Sequence, residues 1–180
     1  DAVIAIQYPK EKLEIQVLDD SNDETVQIIE KKVNGYAANG WDIQHVRRPE
    51  RVGIKAGALA YGLERAKGEF IAIFDADFVP NPEFLLRTLP KFTSIRIGMV
   101  QTKWSHLNTD YGWLTKIQAF WLNAHFTIEQ KGREHAGSFI NFNGTAGVWR
   151  KACIEDSGGW QYDTITEALD LSYRAQLKGW

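Results

Sequence analysis

A short apolar run that ends abruptly in two acids restricts this chain more than any other feature. Phe70, Ile71, Ala72, Ile73 and Phe74 are mostly aromatic or β-branched, the composition of a strand buried on both faces. The run stops at Asp75-Ala76-Asp77, and Pro80 and Pro82 prevent its continuation as a central strand. Carboxylates two positions apart at the carboxyl end of a buried strand lie where open α/β sheets bind ligands. Removing both from water is costly unless a cation joins them. A hard divalent ion shared with nucleotide phosphates suits this pair, because magnesium is usually held by one or two carboxylates plus substrate oxygens. The same D-x-D spacing also occurs in solvated turns, so the reading needs support from the rest of the chain.

That support comes in order along the sequence. Residues 1–7 read as the tail of a helix closed by Tyr8-Pro9. Leu13 to Leu18 alternates and ends at Asp19-Asp20-Ser21, a second strand terminating in acids. Asp23 and Glu24 open a helix running to about Ala38, with Val26, Ile29, Val33 and Tyr36 inward, and Asn39-Gly40 ends it. Asp42 to Val46 is a third strand. A basic loop, Arg47 to Gly57, leads into a helix over 56–66. After the central strand come a short helix over 82–89 and a strand over 98–103. A long helix over 110–130 gathers Trp113, Ile117, Phe120, Trp121, Ala124 and Ile128 near one side. A strand over 138–142 precedes Asn143-Gly144-Thr145. The last helix runs from Thr166, as N-cap, to Lys178, with Leu169, Tyr173 and Leu177 along one face. Strands alternating with helices predict an α/β fold with a mostly parallel sheet flanked by helices, in one domain over 1–180.

Composition closes other routes. A net charge of −2 gives no general attraction for nucleic acid. Cys153 is the only cysteine, so no internal disulfide forms. No apolar run of about 18 residues spans a bilayer, and there is no signal peptide. His45, His106, His125 and His135 are scattered without metal-ligand spacing, Gly53, Gly57 and Gly62 do not make a dinucleotide fingerprint, and no serine sits in a nucleophile elbow. With no starting methionine, and with a helical pattern running into Trp180, both ends look cut.

In a parallel sheet the carboxyl ends share one edge, so Asp19-Asp20 and Asp75/Asp77 are expected to line one crevice. Arg51, Lys55 and the amides at the start of the following helix suit a diphosphate. Acids for a metal, a cation for phosphate and an acid for a sugar or nucleoside hydroxyl together suggest a nucleotide-diphosphate donor site.

The segments VLDDSNDET, KAGAL, IAIFDADFVP, FNGTAGVWR, Thr166-Glu167 and LSYRAQLKGW resemble glycosyltransferase family 2 over essentially the whole chain. The likeness is to its cellulose-synthase-like and glucomannan-mannosyltransferase-like branch. It implies the GT-A fold, a UDP- or GDP-hexose donor, Mg2+ or Mn2+, inversion at the anomeric carbon, and a glycan or lipid acceptor. Asp19 or Asp20 would then contact the nucleoside, and Lys55 would lie near the donor. Asp75 and Asp77 would hold metal and diphosphate, with Asp77 also counted among the catalytic groups. Phe142, Asn143, Gly144 and Thr145 would line the acceptor end. Trp160 is a candidate for stacking on sugar, although core is the commoner place for such a ring. The resemblance also implies membrane association through flanking segments, with this domain facing the cytoplasm.

The sequence departs from that pattern in one decisive place. The family's T-E-D motif ends in the aspartate that serves as general base, whereas this chain has Thr166-Glu167-Ala168. A methyl group cannot take a proton, and loss of a general base costs about 10²–10⁴ in rate. Asp170 lies about 200° further round the helix, and Glu167 matches the structural acid. A non-catalytic nucleotide-sugar-binding or scaffold module is therefore the competing reading. The family's first strand would precede Asp1 and its Q-x-x-R-W region would follow Trp180, which predicts marginal stability for the 180-residue chain alone.

Overall fold

The computed structural model describes residues 1–164 and 166–180. Five strands and seven α-helices occur in the order β1 (Glu14–Leu18), α1 (Thr25–Ala38), β2 (Asp42–Val46), α2 (Ile54–Leu63), β3 (Phe70–Ile73), α3 (Phe84–Thr88), β4 (Met99–Gln101), α4 (Trp113–Ala124), α5 (Lys131–His135), β5 (Gly147–Arg150), α6 (Lys151–Asp156) and α7 (Glu167–Leu177). A π-helical turn, His125–Gln130, joins α4 to α5.

The fold is α/β, with strands of mixed direction among the described residues. β1 and β2 pair in parallel, from Glu14 opposite Asp42 to Leu18 opposite Val46. β5 lies between β3 and β4 and is antiparallel to both. Two further bonds prolong the β3–β5 pairing past its end: Ala146 N–H donates to Ile73 O at 2.8 Å, and Asp75 N–H donates to Thr145 Oγ1 at 3.0 Å. The two sheets are not hydrogen-bonded to each other.

The two-sided burial expected of the central strand is present. Ile71 and Ile73 of β3 join Phe142, Trp149, Cys153, Ile154, Trp160, Leu171 and Ala175 on one face of the sheet. Phe70, Ala72 and Phe74 join Ile6, Phe84, Leu85 and Val148 on the other. Adjacent residues of β5, Val148 and Trp149, thus serve opposite faces, as the period of two in a strand requires. Gly147 admits this packing because a Cβ there would meet the Phe142 ring at 2.6 Å. Burial raises the Cys153 thiol to about 11, so it acts as a packing residue.

Several expectations are corrected. Residues 1–7 contain a single 3₁₀ turn, Ala2–Ala5. The segment 138–142 is not a strand: side chains of α7 hold its backbone instead. Gln176 bonds both polar groups of Ile140, and Ser172 Oγ accepts from Phe142 N–H at 2.9 Å. The strand lies later, at Gly147–Arg150. Thr166 precedes α7 without a side-chain cap bond. The inward face of α7 is Leu171, Ser172 and Ala175, whereas Leu169, Tyr173 and Leu177 are exposed. The helix over 113–135 turns its apolar side outward, with Trp113, Phe120, Trp121 and Ile128 all more than two-thirds exposed. Periodicity identifies an apolar face, but the partner that covers it is a tertiary matter.

Candidate active site

The site begins at the end of β1. Asp19 is buried; its carboxylate accepts from Ser21 N–H at 2.9 Å and lies 2.8 Å from His45 Nε2 on β2. Burial opposes its ionisation, but the Ser21 and His45 bonds outweigh that and hold the carboxyl below the usual range. Asp20 is gripped by Arg48 through both Nε and Nη2, and this pairing is the main cause of its lowered pKa.

Arg48 does more than neutralise Asp20. Its guanidinium also donates to Val52 O at 2.6 Å and Ile54 O at 2.9 Å, the two carbonyls flanking Gly53. Gly53 and Ile54 are both left-handed, with φ of 74° and 44°. That geometry is cheap for glycine and strained for a β-branched residue. Gly57 is required here, since a Cβ would collide with Val52 O and the Arg48 guanidinium. The bend starts α2 so that the next side chain, Lys55, reaches Asp75 Oδ1 at 2.5 Å and Gly144 O at 2.9 Å. Gly144 is left-handed (φ 80°), a conformation that favours glycine.

Both acidic strand ends therefore abut the amino end of α2 and are linked through Arg48 and Lys55. Asp75 is partly exposed, and Asp77 is exposed with no hydrogen bond or ion pair among the described residues. Among these residues no group of three or more His, Cys, Asp or Glu gathers to hold a metal ion. Two accessible carboxylates nevertheless fit a hard cation that takes its remaining oxygens from phosphate and water. Lys55, bridging Asp75 and a carbonyl, marks the place as one that attracts positive charge.

The acceptor candidates sit on the other side of Gly144. Asn141 to Gly144 and Thr166 to Leu169 line a cleft of about 340 Å³, so Glu167 and Ala168 face the Asn143 loop. Thr145 is buried and serves to tie the loop to Asp75, and the Phe142 ring is buried in the core. Trp160 is corrected in the same way: it is 6% exposed, packs with Phe142 and Trp149, and does not line the cleft. Asp170 is tied to Arg174, which also bonds the carbonyls of Ser157 and Gly159, so it braces the turn after α6. A larger groove of about 610 Å³, between Asp1 and α1, holds none of the candidates.

Sequence reading missed Arg48 and Gln101. Gln101 Oε1 accepts from Asn143 N–H at 2.9 Å, and its Nε2 donates to Thr145 O and Ala146 O. Neither had a signal beyond residue type, because Arg48 closes on the Asp20 side chain and Gln101 on the backbone of Asn143 and Thr145, all far away in sequence.

The sequence matches glycosyl transferase family 2 over residues 1–156. The chain belongs to that family. It is 44% identical over 99% of its length to glucomannan 4-beta-mannosyltransferase 2 of Arabidopsis thaliana, and 44% identical to probable glucomannan 4-beta-mannosyltransferase 3 of Oryza sativa subsp. japonica. It spans about a third of the length of these relatives (34% and 33%). Among solved structures, the mannosyltransferase PcManGT of Pyrobaculum calidifontis, in complex with GDP-Man and Mn2+, superposes with a TM-score of 0.75 at 22% identity, over 99% of this chain and 47% of that one. Staphylococcus aureus TarS 1-349 with UDP-GlcNAc gives 0.65 at 18% identity, over 98% and 48%. The family 2 chain thus has the GT-A fold implied by its motifs.

Proposed function

We propose that this family 2 domain binds a nucleotide-sugar donor, with GDP-mannose the first candidate, and belongs to an inverting, metal-dependent hexosyltransferase that elongates a β-linked glycan. The observation that carries this reading is the Asp20–Arg48–α2–Lys55–Asp75 chain of bonds, which joins the nucleoside acid to the diphosphate acid through the amino end of one helix. The names of the relatives favour mannosyl transfer, and a UDP-hexose or a lipid acceptor are the other members of the same class.

Of the two acids after β1, Asp20 is the more accessible and would contact the nucleoside while buried Asp19 braces the strand end; Lys55 would meet the diphosphate, and Asp75 with Asp77 would hold the Mg2+ or Mn2+. A bound divalent cation supplies positive charge to the departing diphosphate. The acceptor hydroxyl enters beside Asn143 and Gly144 and attacks the anomeric carbon from the face opposite the leaving group. Its proton must pass to a group at Ala168, where there is only a methyl. The domain therefore binds better than it turns over. No described helix is long and apolar enough to cross a membrane. The outward Trp113, Phe120 and Trp121 suit a membrane surface facing the cytoplasm.

The test is Ala168→Asp, assayed for transfer from GDP-mannose to a β-1,4-mannan oligosaccharide in Mn2+. A gain of about 10²-fold or more is expected. GDP-mannose binding by both proteins with transfer by neither supports the scaffold reading, for which Ala168 is the specific observation. Absence of nucleotide-sugar binding overturns both.

A further inference from the structure

A polar cluster on the helix over 113–135 remains outside the donor site. His125 and Gln130 both reach Asn143 across the cleft wall. In an α-helix, side chains five apart point about 140° away from each other. The π-helical turn over His125–Gln130 winds with i→i+5 bonding and brings these two toward one line. Such turns are rare and concentrate at functional sites.

The bonding pattern fixes the state of the imidazole. Nδ1 lies 2.9 Å from Glu129 Oε2, and a carboxylate only accepts, so Nδ1 carries the proton. Nε2 faces Asn143 Nδ2 at 3.3 Å and Gln130 Nε2 at 3.4 Å, and amide nitrogens only donate. Nε2 is therefore the acceptor and the ring is neutral. The Gln130 amide is anchored by backbone Asn141 O, to which its Nε2 donates at 3.2 Å, and Asn143 Oδ1 accepts from Asn141 Nδ2 at 3.0 Å and Gln130 Nε2 at 3.3 Å. The Asn143 backbone is pinned separately by Gln101. The charged groups nearby are Glu129, itself paired with Arg133 at 3.0 Å, and Lys103 from the segment after β4, bonded to Asn123. The loop bonds His125 only through uncharged Asn143.

We infer that His125 is a positioning residue for the acceptor end of the cleft: neutral, it holds the Asn143 side chain, and on protonation it releases it. A proton on Nε2 would face an NH₂ group. Asn143 would then have to flip its amide and give up Asn141 and Gln130. The claim that Asn143 meets an acceptor rests on the function proposed above; the grip on Asn143 does not.

The test follows the Asn143 side-chain amide in the ¹⁵N-labelled chain from about pH 8 to about pH 5, the range in which imidazoles change charge. In the wild-type chain it should shift with a single titration. In His125→Gln, whose Oε1 is an acceptor at every pH, it should stay still. A flat wild-type profile, or the same titration in His125→Gln, overturns the assignment; the Trp149 indole signal reports that the core is intact. Calorimetry with β-1,4-mannotetraose should show affinity falling about tenfold at the acid end, the worth of one hydrogen bond, in wild type and not in His125→Gln. GDP-mannose affinity should be the same in both proteins. If Asn143 titrates as expected but mannotetraose binds at no pH, the assignment of His125 stands and the acceptor reading falls.

Discussion

The parallel pair β1–β2 and the antiparallel sheet β3–β5–β4 hold the two halves of one site by different means. Every residue of β1 is half-buried, whereas Val148 and Trp149 of β5 are 0% and 1% exposed. The antiparallel sheet is fixed by packing on both faces, and it carries Asp75 and the Asn143 loop. The parallel pair has little core of its own, and its acids are held by bonds: Asp19 to His45, Asp20 to Arg48. Packing resists pH and salt, while ion pairs respond to both. The nucleoside half is therefore the adjustable half.

Trp149→Ala tests the packed half and should have the largest effect, a loss of about 3–5 kcal/mol in urea-unfolding stability. A loss below about 1 kcal/mol would place the core elsewhere. Arg48→Ala tests the bonded half. It leaves two carbonyls without a charged partner and Asp20 with only the longer Arg51 pair at 3.9 Å, and about 2 kcal/mol is expected. The change should be accompanied by weaker GDP-mannose binding, since Lys55 loses the bend that aims it. A stability loss with unchanged donor affinity would separate the two acids and break the link drawn between them.

Acid should discriminate between the halves more gently. Asp19 and Asp20 have carboxyls lowered in the folded chain, so their contribution is complete above the unfolded value of about 4 and is lost as pH falls through the lower folded values. Unfolding midpoints from about pH 7 down to about pH 3 should fall less in Asp20→Asn than in wild type. Equal falls would mean that other carboxylates carry the acid sensitivity. The smallest effect is expected from Ile15→Ala on half-exposed β1, about 1 kcal/mol, which sharpens the contrast with Trp149.

Much of this was legible in advance for a local reason. β3 could be recognised because its composition and its terminating acids and prolines are adjacent in sequence. The interior stripe of α1, with Val33 buried and Val26, Ile29 and Tyr36 half-buried, followed from helical spacing. The errors have a common cause. The segment 138–142 has strand composition, but its hydrogen bonds go to Gln176 and Ser172, 36 and 30 residues away. The outward faces of α7 and the helix over 113–135 are amphipathic by pattern, and nothing in a pattern says which side meets the sheet.

The sequence by itself determined the α/β alternation, the acids at two strand ends, the lysine between them and the alanine after Thr166-Glu167, because each is a property of neighbouring residues. Only the tertiary structure decided that one guanidinium joins those ends, that Trp160 is core, and that His125 and Gln130 close on Asn143. Those contacts depend on backbone direction and on side chains that are not neighbours in sequence.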